Sequence, residues 1–189
     1  MDDVIYLAEL LRQRNAIDEQ IAKLIDRPAS TGHIGEYIAA RIFNIELTRS
    51  ATNRGFDGCF LEGLLKGETV NVKFYPKREN VIDLPTDSGN ILAVLAKHYL
   101  VLTGPKSLAV SSKGAHRPLV IEAAFLFEAT RLIQGLNTRA MNKRGRVANI
   151  GIATSVPEEF WYEAEIYPIP RNNTLSLTPN KQRLLSLFR

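Results

Sequence analysis

Four residues of this chain have the types and spacing for one piece of chemistry. Glu36 lies in a stretch with helical periodicity, Asp57 follows Gly55-Phe56, and Asn71 and Lys73 stand two apart in an alternating run. A spacing of two places Asn71 and Lys73 on the same side of a strand. Hard divalent cations take oxygen ligands, and Mg²⁺ typically uses one or two carboxylates and keeps several waters. Asp57, Glu36, the Asn71 amide oxygen and the Val72 backbone carbonyl make such a set. Two carboxylates ~4 Å apart repel by ~4 kcal/mol at an effective dielectric of ~20, a repulsion that a bound cation relieves. Mg²⁺ or Mn²⁺ held there would polarise a phosphate oxygen and acidify a water. Lys73 would orient that water or neutralise the developing charge.

These side chains need elements to hold them. Val4, Leu7, Leu10, Leu11, Ile17, Ile21, Leu24 and Ile25 recur at helical steps, which predicts a helix over 2–26, packed either on its own domain or across a dimer axis. After Pro28 a second helix is expected from His33 to Phe43, capped by Ser30 or Thr31. It carries Glu36 beside Ala40 and Phe43, where an unpaired charge is expensive. Short strands are expected over Glu46–Ser50 and Phe56–Leu61, joined by a turn at Asn53-Arg54-Gly55. The clearest strand is Thr69–Tyr75, stopped by Pro76. Beyond it the pattern predicts a helix over Ser88–Lys97, buried strands at Tyr99–Thr103 and Leu119–Ile121, and an apolar helix over Ala123–Leu136. An edge strand around Trp161–Tyr167 and a short helix after Thr178-Pro179 complete the reading.

The order helix, three strands, helix, strand, with Glu36, Gly55-Phe56-Asp57-Gly58 and Val70-Asn71-Val72-Lys73, resembles the PD-(D/E)XK superfamily, the restriction-endonuclease-like nucleases. The likeness covers about Ser30 to Phe127. It implies an α/β fold in which a mixed central β-sheet, antiparallel through three strands and then parallel to a fourth, is flanked by helices. It also implies that Asp57 and the residue at position 71 bind metal, that Lys73 assists catalysis, and that Glu36 completes the site. At one position the chain departs from the pattern: Asn71 stands where the family has Asp or Glu. Glu62 and Glu68 are the acids from which the missing charge would come, Glu62 if the turn before the strand falls at Lys66-Gly67. Two functions follow. One is a metal-dependent DNA endonuclease hydrolysing phosphodiester bonds, and the other is a nuclease-fold module that binds nucleic acid or a partner protein without cleavage.

The whole composition fits either. A chain of 189 residues suits one domain, here divided into an N-terminal helix (1–28), an α/β core (29–136), and a basic segment with a C-terminal extension packed on the core (137–189). Its 45% hydrophobic and 23% charged content supports a sizeable core and excludes disorder. Apolar runs such as Ile91–Ala96 and Tyr99–Leu102 fall far short of the ~20 residues that span a bilayer, so a soluble protein is expected. Asp2 and Asp3 replace the basic start of a secretion signal. Cys59 is the one cysteine, which excludes an internal disulfide or a four-cysteine zinc site and points to the cytoplasm. It reads as a small core residue.

Net charge is +4, and its distribution is uneven. Arg139, Lys143, Arg144 and Arg146 lie in a stretch from Asn137 to Pro157 that has no carboxylate, and Lys77 and Arg78 follow the clearest strand. Such cations suit a phosphate backbone, with DNA as the expected partner, RNA as the alternative, and a homodimer to address both strands. His33 shares the helical side of Glu36, whereas His98 and His116 lack ligand spacing. No P-loop, H-E-x-x-H, G-x-S-x-G or G-x-G-x-x-G pattern occurs.

Overall fold

The computed structural model describes residues 2–48, 55–85, 95–106, 118–144 and 153–189. Helix α1, Asp2–Ile25, forms as its periodicity predicts, yet most of its apolar stripe, including Val4, Leu7, Leu11 and Ile17, is exposed. Its end alone approaches the core: Ile25 is buried and Ile21 half-buried beside an apolar groove lined by Ile34, Ile38 and Phe188, with Leu24 on the rim and exposed. Asp26, at φ 54, ends the helix in the left-handed region. Helix α2, Thr31–Phe43, starts under the Ser30 hydroxyl, which accepts from the His33 N–H at 3.3 Å, and stops at Asn44, also left-handed.

A six-stranded mixed sheet carries the fold, in the order β1 (Ile45–Leu47), β2 (Gly58–Phe60), β3 (Thr69–Tyr75), β5 (His98–Thr103), β6 (Ala123–Glu128) and β8 (Glu165–Tyr167). Pairing is antiparallel through β1, β2 and β3 and parallel between β3 and β5; β6 and β8 then follow antiparallel. A separate two-stranded ladder joins β4 (Val81–Asp83) to β7 (Ala153–Ser155). Helices α3 (Ala129–Arg144), α4 (Glu158–Ala164) and α5 (Pro179–Ser186) complete the elements.

Alternation along β3 sorts its side chains between two cores. Val70, Val72 and Phe74 point to α2 and α5, joining Ile38, Ile42, Leu100, Leu102 and Leu185. Contact on this face is close: a Cβ on Gly35 of α2 would fall 2.4 Å from Phe74 Cβ. The opposite core gathers Tyr99, Val101, Phe125 and Phe127 under Leu132, Ile133 and Trp161, and Tyr75 packs against it. The Trp161 ring meets Phe125 and Phe127 edge-on at centroid distances of 4.8 and 5.1 Å. β5 lies between the cores and is buried at all six positions, which is why it reads as a continuous apolar run.

Several expected elements differ. Residues 123–128 form strand β6 rather than the start of a helix. An apolar run covered on both faces has no period to betray it, and α3 begins only at Ala129, where Glu128 accepts from the Thr130 and Arg131 N–H groups. Leu119–Ile121 is not a strand: Ile121 is buried and donates its N–H to the Phe188 carbonyl at 2.8 Å. Trp161 belongs to α4, so the expected edge strand is confined to β8. Of the strands flanking Asp57, β2 is shorter than its pattern, β1 starts one residue earlier than expected, and residues 49–50 of the expected first strand lie outside the described residues. Of the helix expected over Ser88–Lys97, residues 88–94 lie outside the described residues, and 95–97 are not helical. Asn53 and Arg54 of the expected turn, and His116, also lie outside them. Cys59 is half-buried on β2. Among the described residues, no helix is long and apolar enough to cross a membrane.

Candidate functional site

Asp57 sits where β2 and β3 part. Its N–H donates to the Val70 carbonyl at 2.9 Å, the last backbone link between these strands, and its own carbonyl accepts from the Thr48 N–H at 2.8 Å. Two residues further along β3, beyond the end of the described β2 ladder, Asp57 Oδ2 accepts the Val72 N–H at 2.6 Å. A short bond of this kind is charge-assisted. The N–H and carbonyl of one strand residue point to the same side, so the Val72 carbonyl is directed into the same fork.

Glu36 reaches the fork from the first turns of α2. Its carboxylate is paired with Arg27, whose other amino group donates to the Thr48 carbonyl at 2.7 Å. Both side chains of the pair are largely buried, at 16% and 14% exposure. Burial first, and the Asp57 carboxylate second, push the Glu36 carboxyl above its ordinary value, against the opposing pull of Arg27 and His33. Burial likewise raises Asp57, opposed first by the Val72 N–H bond and then by Lys73, Arg27 and His33. Two carboxylates held up in this way are being kept in a place where negative charge is disfavoured.

Asn71, Lys73 and Tyr75 protrude from the face of β3 opposite α2. Glu36 and Lys73 therefore approach from different faces of the sheet, and Asp57, at the strand edge, is the member that feels both. Asn71 Oδ1 is buried and, among the described residues, accepts no hydrogen bond. An orphaned buried carbonyl oxygen is costly unless something else fills its place. Among the described residues no three His, Cys, Asp or Glu side chains gather as a metal site; an oxygen set here would combine carboxylate with amide and backbone oxygens. The orphaned Asn71 oxygen, one residue along β3 from the Val72 N–H that Asp57 holds, and the Asp57 carboxylate, whose charge is disfavoured, have the donor chemistry that fits a divalent cation.

No protein-family model matches the chain, and no curated protein is similar enough to match it. The assignment of a role therefore rests on the residues themselves.

The remaining expected residues are placed as follows. Glu62 pairs with Lys181 at 2.9 Å, and Glu68 pairs with His98, so neither supplies the charge that Asn71 lacks. Asn71 has no partner on β2, whose ladder ends at Val70. Arg78 is held by Glu158 at 3.2 Å and lies over the Phe125 and Trp161 rings at 5.2 and 5.8 Å, an anchored position with 15% of the side chain exposed. Lys77 is half-buried in the turn after β3. Arg139, Lys143 and Arg144 fall on the last turns of α3, and Arg146 lies outside the described residues. His33 Nδ1 donates to the Pro28 carbonyl at 3.0 Å, which ties the start of α2 to the preceding turn.

Arg27 is the site residue that sequence reasoning missed. The signal was present in the demand that Glu36, on an apolar helix face, find a counter-charge. Its partner lies nine positions earlier, across the Pro28 turn, where helical spacing does not look.

Proposed function

We propose that this chain is a divalent-metal-dependent DNA endonuclease, hydrolysing phosphodiester bonds at the fork between β2 and β3. The observation that carries the reading is the fork itself: Asp57, holding the Val72 N–H at 2.6 Å at the edge of β3, lies within electrostatic reach of Glu36 and of Lys73, and the Asn71 amide oxygen is buried with no partner among the described residues. The mixed sheet, antiparallel through three strands and then parallel, is the order that the PD-(D/E)XK resemblance implies, and it supports the same reading.

Asp57, the Asn71 amide oxygen and the Val72 carbonyl would hold Mg²⁺ or Mn²⁺, with Glu36 facing them. The ion would supply Lewis acidity and a water of lowered pKa. Lys73 would supply positive charge against the negative charge that grows on the phosphate during attack. Asp57 keeps the fork open by capping Val72, so the Val72 carbonyl is not drawn into a strand pair. Arg139, Lys143, Arg144 and Arg146, with Lys77, would contact the phosphate backbone. A homodimer suits cleavage of both strands, and the exposed apolar stripe of α1 supports one. The single cysteine favours a cytoplasmic location.

A second reading, a binding module that does not cut, is favoured by two observations: position 71 carries no charge, and Glu36 already has Arg27 as its counter-ion. Incubating the protein with supercoiled plasmid and Mg²⁺ or Mn²⁺ decides between them. Nicked or linear product, abolished by EDTA and by Lys73→Ala, is the result expected of the enzyme. Retention of plasmid without product, weakening steeply with salt, would replace it with the module. Asn71→Asp should tighten metal binding; unchanged affinity would remove residue 71 from the site.

A further inference from the structure

Arg27 is built into the fork. Asp26, at φ 54, turns the chain out of α1, and the Arg27 N–H still reaches back to the Ala22 carbonyl at 3.3 Å. From this fixed backbone the guanidinium bonds the Glu36 carboxylate on α2 and the Thr48 carbonyl on the segment leaving β1. Three parts of the chain are thereby joined by one side chain. Arginine suits this task because its charge is permanent and its donors form a rigid planar fork.

We infer that the Arg27 guanidinium takes the place of a second divalent ion, so that this site binds one metal ion per chain and Glu36 is not among its ligands. The inference rests on the metal-dependent reading proposed above. Two-metal phosphodiesterase sites hold their ions ~3.5–4 Å apart, and both ions need anionic oxygens. Here Glu36 is committed to Arg27 and position 71 is neutral, so Asp57 is the one carboxylate of this set not held in an ion pair. One carboxylate with amide and carbonyl oxygens meets the ordinary requirement of a single Mg²⁺. Adding a second ion would place two doubly charged cations in a largely buried fork that already holds Arg27 and Lys73, with no further carboxylate of this set among the described residues to receive them.

Calorimetric titration of the full-length chain with Mn²⁺ tests this directly, without any need for turnover. The wild type should bind one ion. Arg27→Gln releases Glu36 as a ligand and should raise affinity at least ~10-fold or add a second equivalent, since the metal then gains an anionic oxygen and loses a repelling neighbour. The double variant Arg27→Gln/Glu36→Gln removes both members of the pair with no change in net charge, and its affinity should return to within a few-fold of the wild type. Retention of the buried Trp161 fluorescence confirms folding, and the charge-neutral double variant provides the comparison where the single one is unstable. Two equivalents in the wild type, or a double variant whose affinity falls ~10-fold, would overturn the inference while leaving the metal reading intact. No Mn²⁺ uptake by the wild type or by Arg27→Gln would defeat the metal reading, and the inference with it.

Discussion

Substitutions at Asp57 separate its two roles, as a cap on β3 and as a charge. Asp57→Ala strands the Val72 N–H, on a residue that is 6% exposed, without an acceptor, at a cost of ~1–3 kcal/mol. Asp57→Asn keeps an amide oxygen at the same place and exchanges a charge-assisted bond for a neutral one, a loss of ~1 kcal/mol. Opposing both losses is relief, because burial disfavours this carboxylate and its charge in turn raises Glu36. In the folded chain both carboxyls lie above their ordinary values of 3.8 and 4.5, so the folded state holds protons that the unfolded chain has released. The wild type accordingly loses stability as pH rises from those ordinary values through the folded ones. A variant without the charge escapes that loss. Thermal melts followed by Trp161, the one tryptophan, at pH 4 and pH 8 read out the effect. At pH 8 Asp57→Asn should melt close to or above the wild type, and ~2–4 °C above Asp57→Ala for mid-range costs of ~2 against ~1 kcal/mol, using ~2–4 °C per kcal/mol for a chain of this size. Its offset from the wild type should be more favourable at pH 8 than at pH 4. An asparagine variant that melts with the alanine variant, or keeps the same offset at both pH values, refutes the account.

Other perturbations test the packing and the site independently. Gly35→Ala puts a Cβ 2.4 Å from Phe74 Cβ and should destabilise by ~1–3 kcal/mol, visible as a lower urea midpoint; an unchanged midpoint contradicts the close approach of α2 to β3. Lys73→Met should leave stability within ~0.5 kcal/mol of the wild type and reduce plasmid nicking ~100-fold or more. A fully active Lys73→Met protein would exclude Lys73 from the chemistry. The hydrogen bond with His98 holds the Glu68 carboxyl below its ordinary value of 4.5, so the stability it adds is present above that value and fades as pH falls through the folded one. Glu68→Gln should therefore be destabilising at pH 7, with a deficit that shrinks as pH falls below 4.5; a pH-independent difference would break that link.

Elements with a clean period were legible in the sequence. Thr69–Tyr75 alternates strictly and forms the strand over the same residues, Ser30 rather than Thr31 caps α2, and a short helix follows Thr178 as expected. Where the environment is apolar on every side, the period disappears. Ala-Ala-Phe-Leu-Phe therefore read as helix although it is a strand covered by both cores. Helix α4 was hidden for a different reason: Trp161 and Ala164 face the core while Tyr162 and Glu163 face out, a single apolar step in seven residues. Within the candidate site, Asp57 was singled out by its position before a strand and Lys73 by its place on one. The sheet keeps Glu36 and Lys73 on different faces, a relation set by the placement of α2 that local spacing does not encode. Arg27 was missed because a long-range ion pair leaves no periodic trace.

Asp57 does mechanical duty for β3 whatever chemistry surrounds it, and this bears on how any relatives of the chain should be read. A descendant that had lost every trace of hydrolysis would still need an acceptor for the Val72 N–H, so persistence of an acidic residue at 57 would not by itself testify to an active lineage. Lys73 has no such obligation, since it forms no ion pair among the described residues. Its retention or drift, not that of Asp57, is where selection for catalysis would leave its mark.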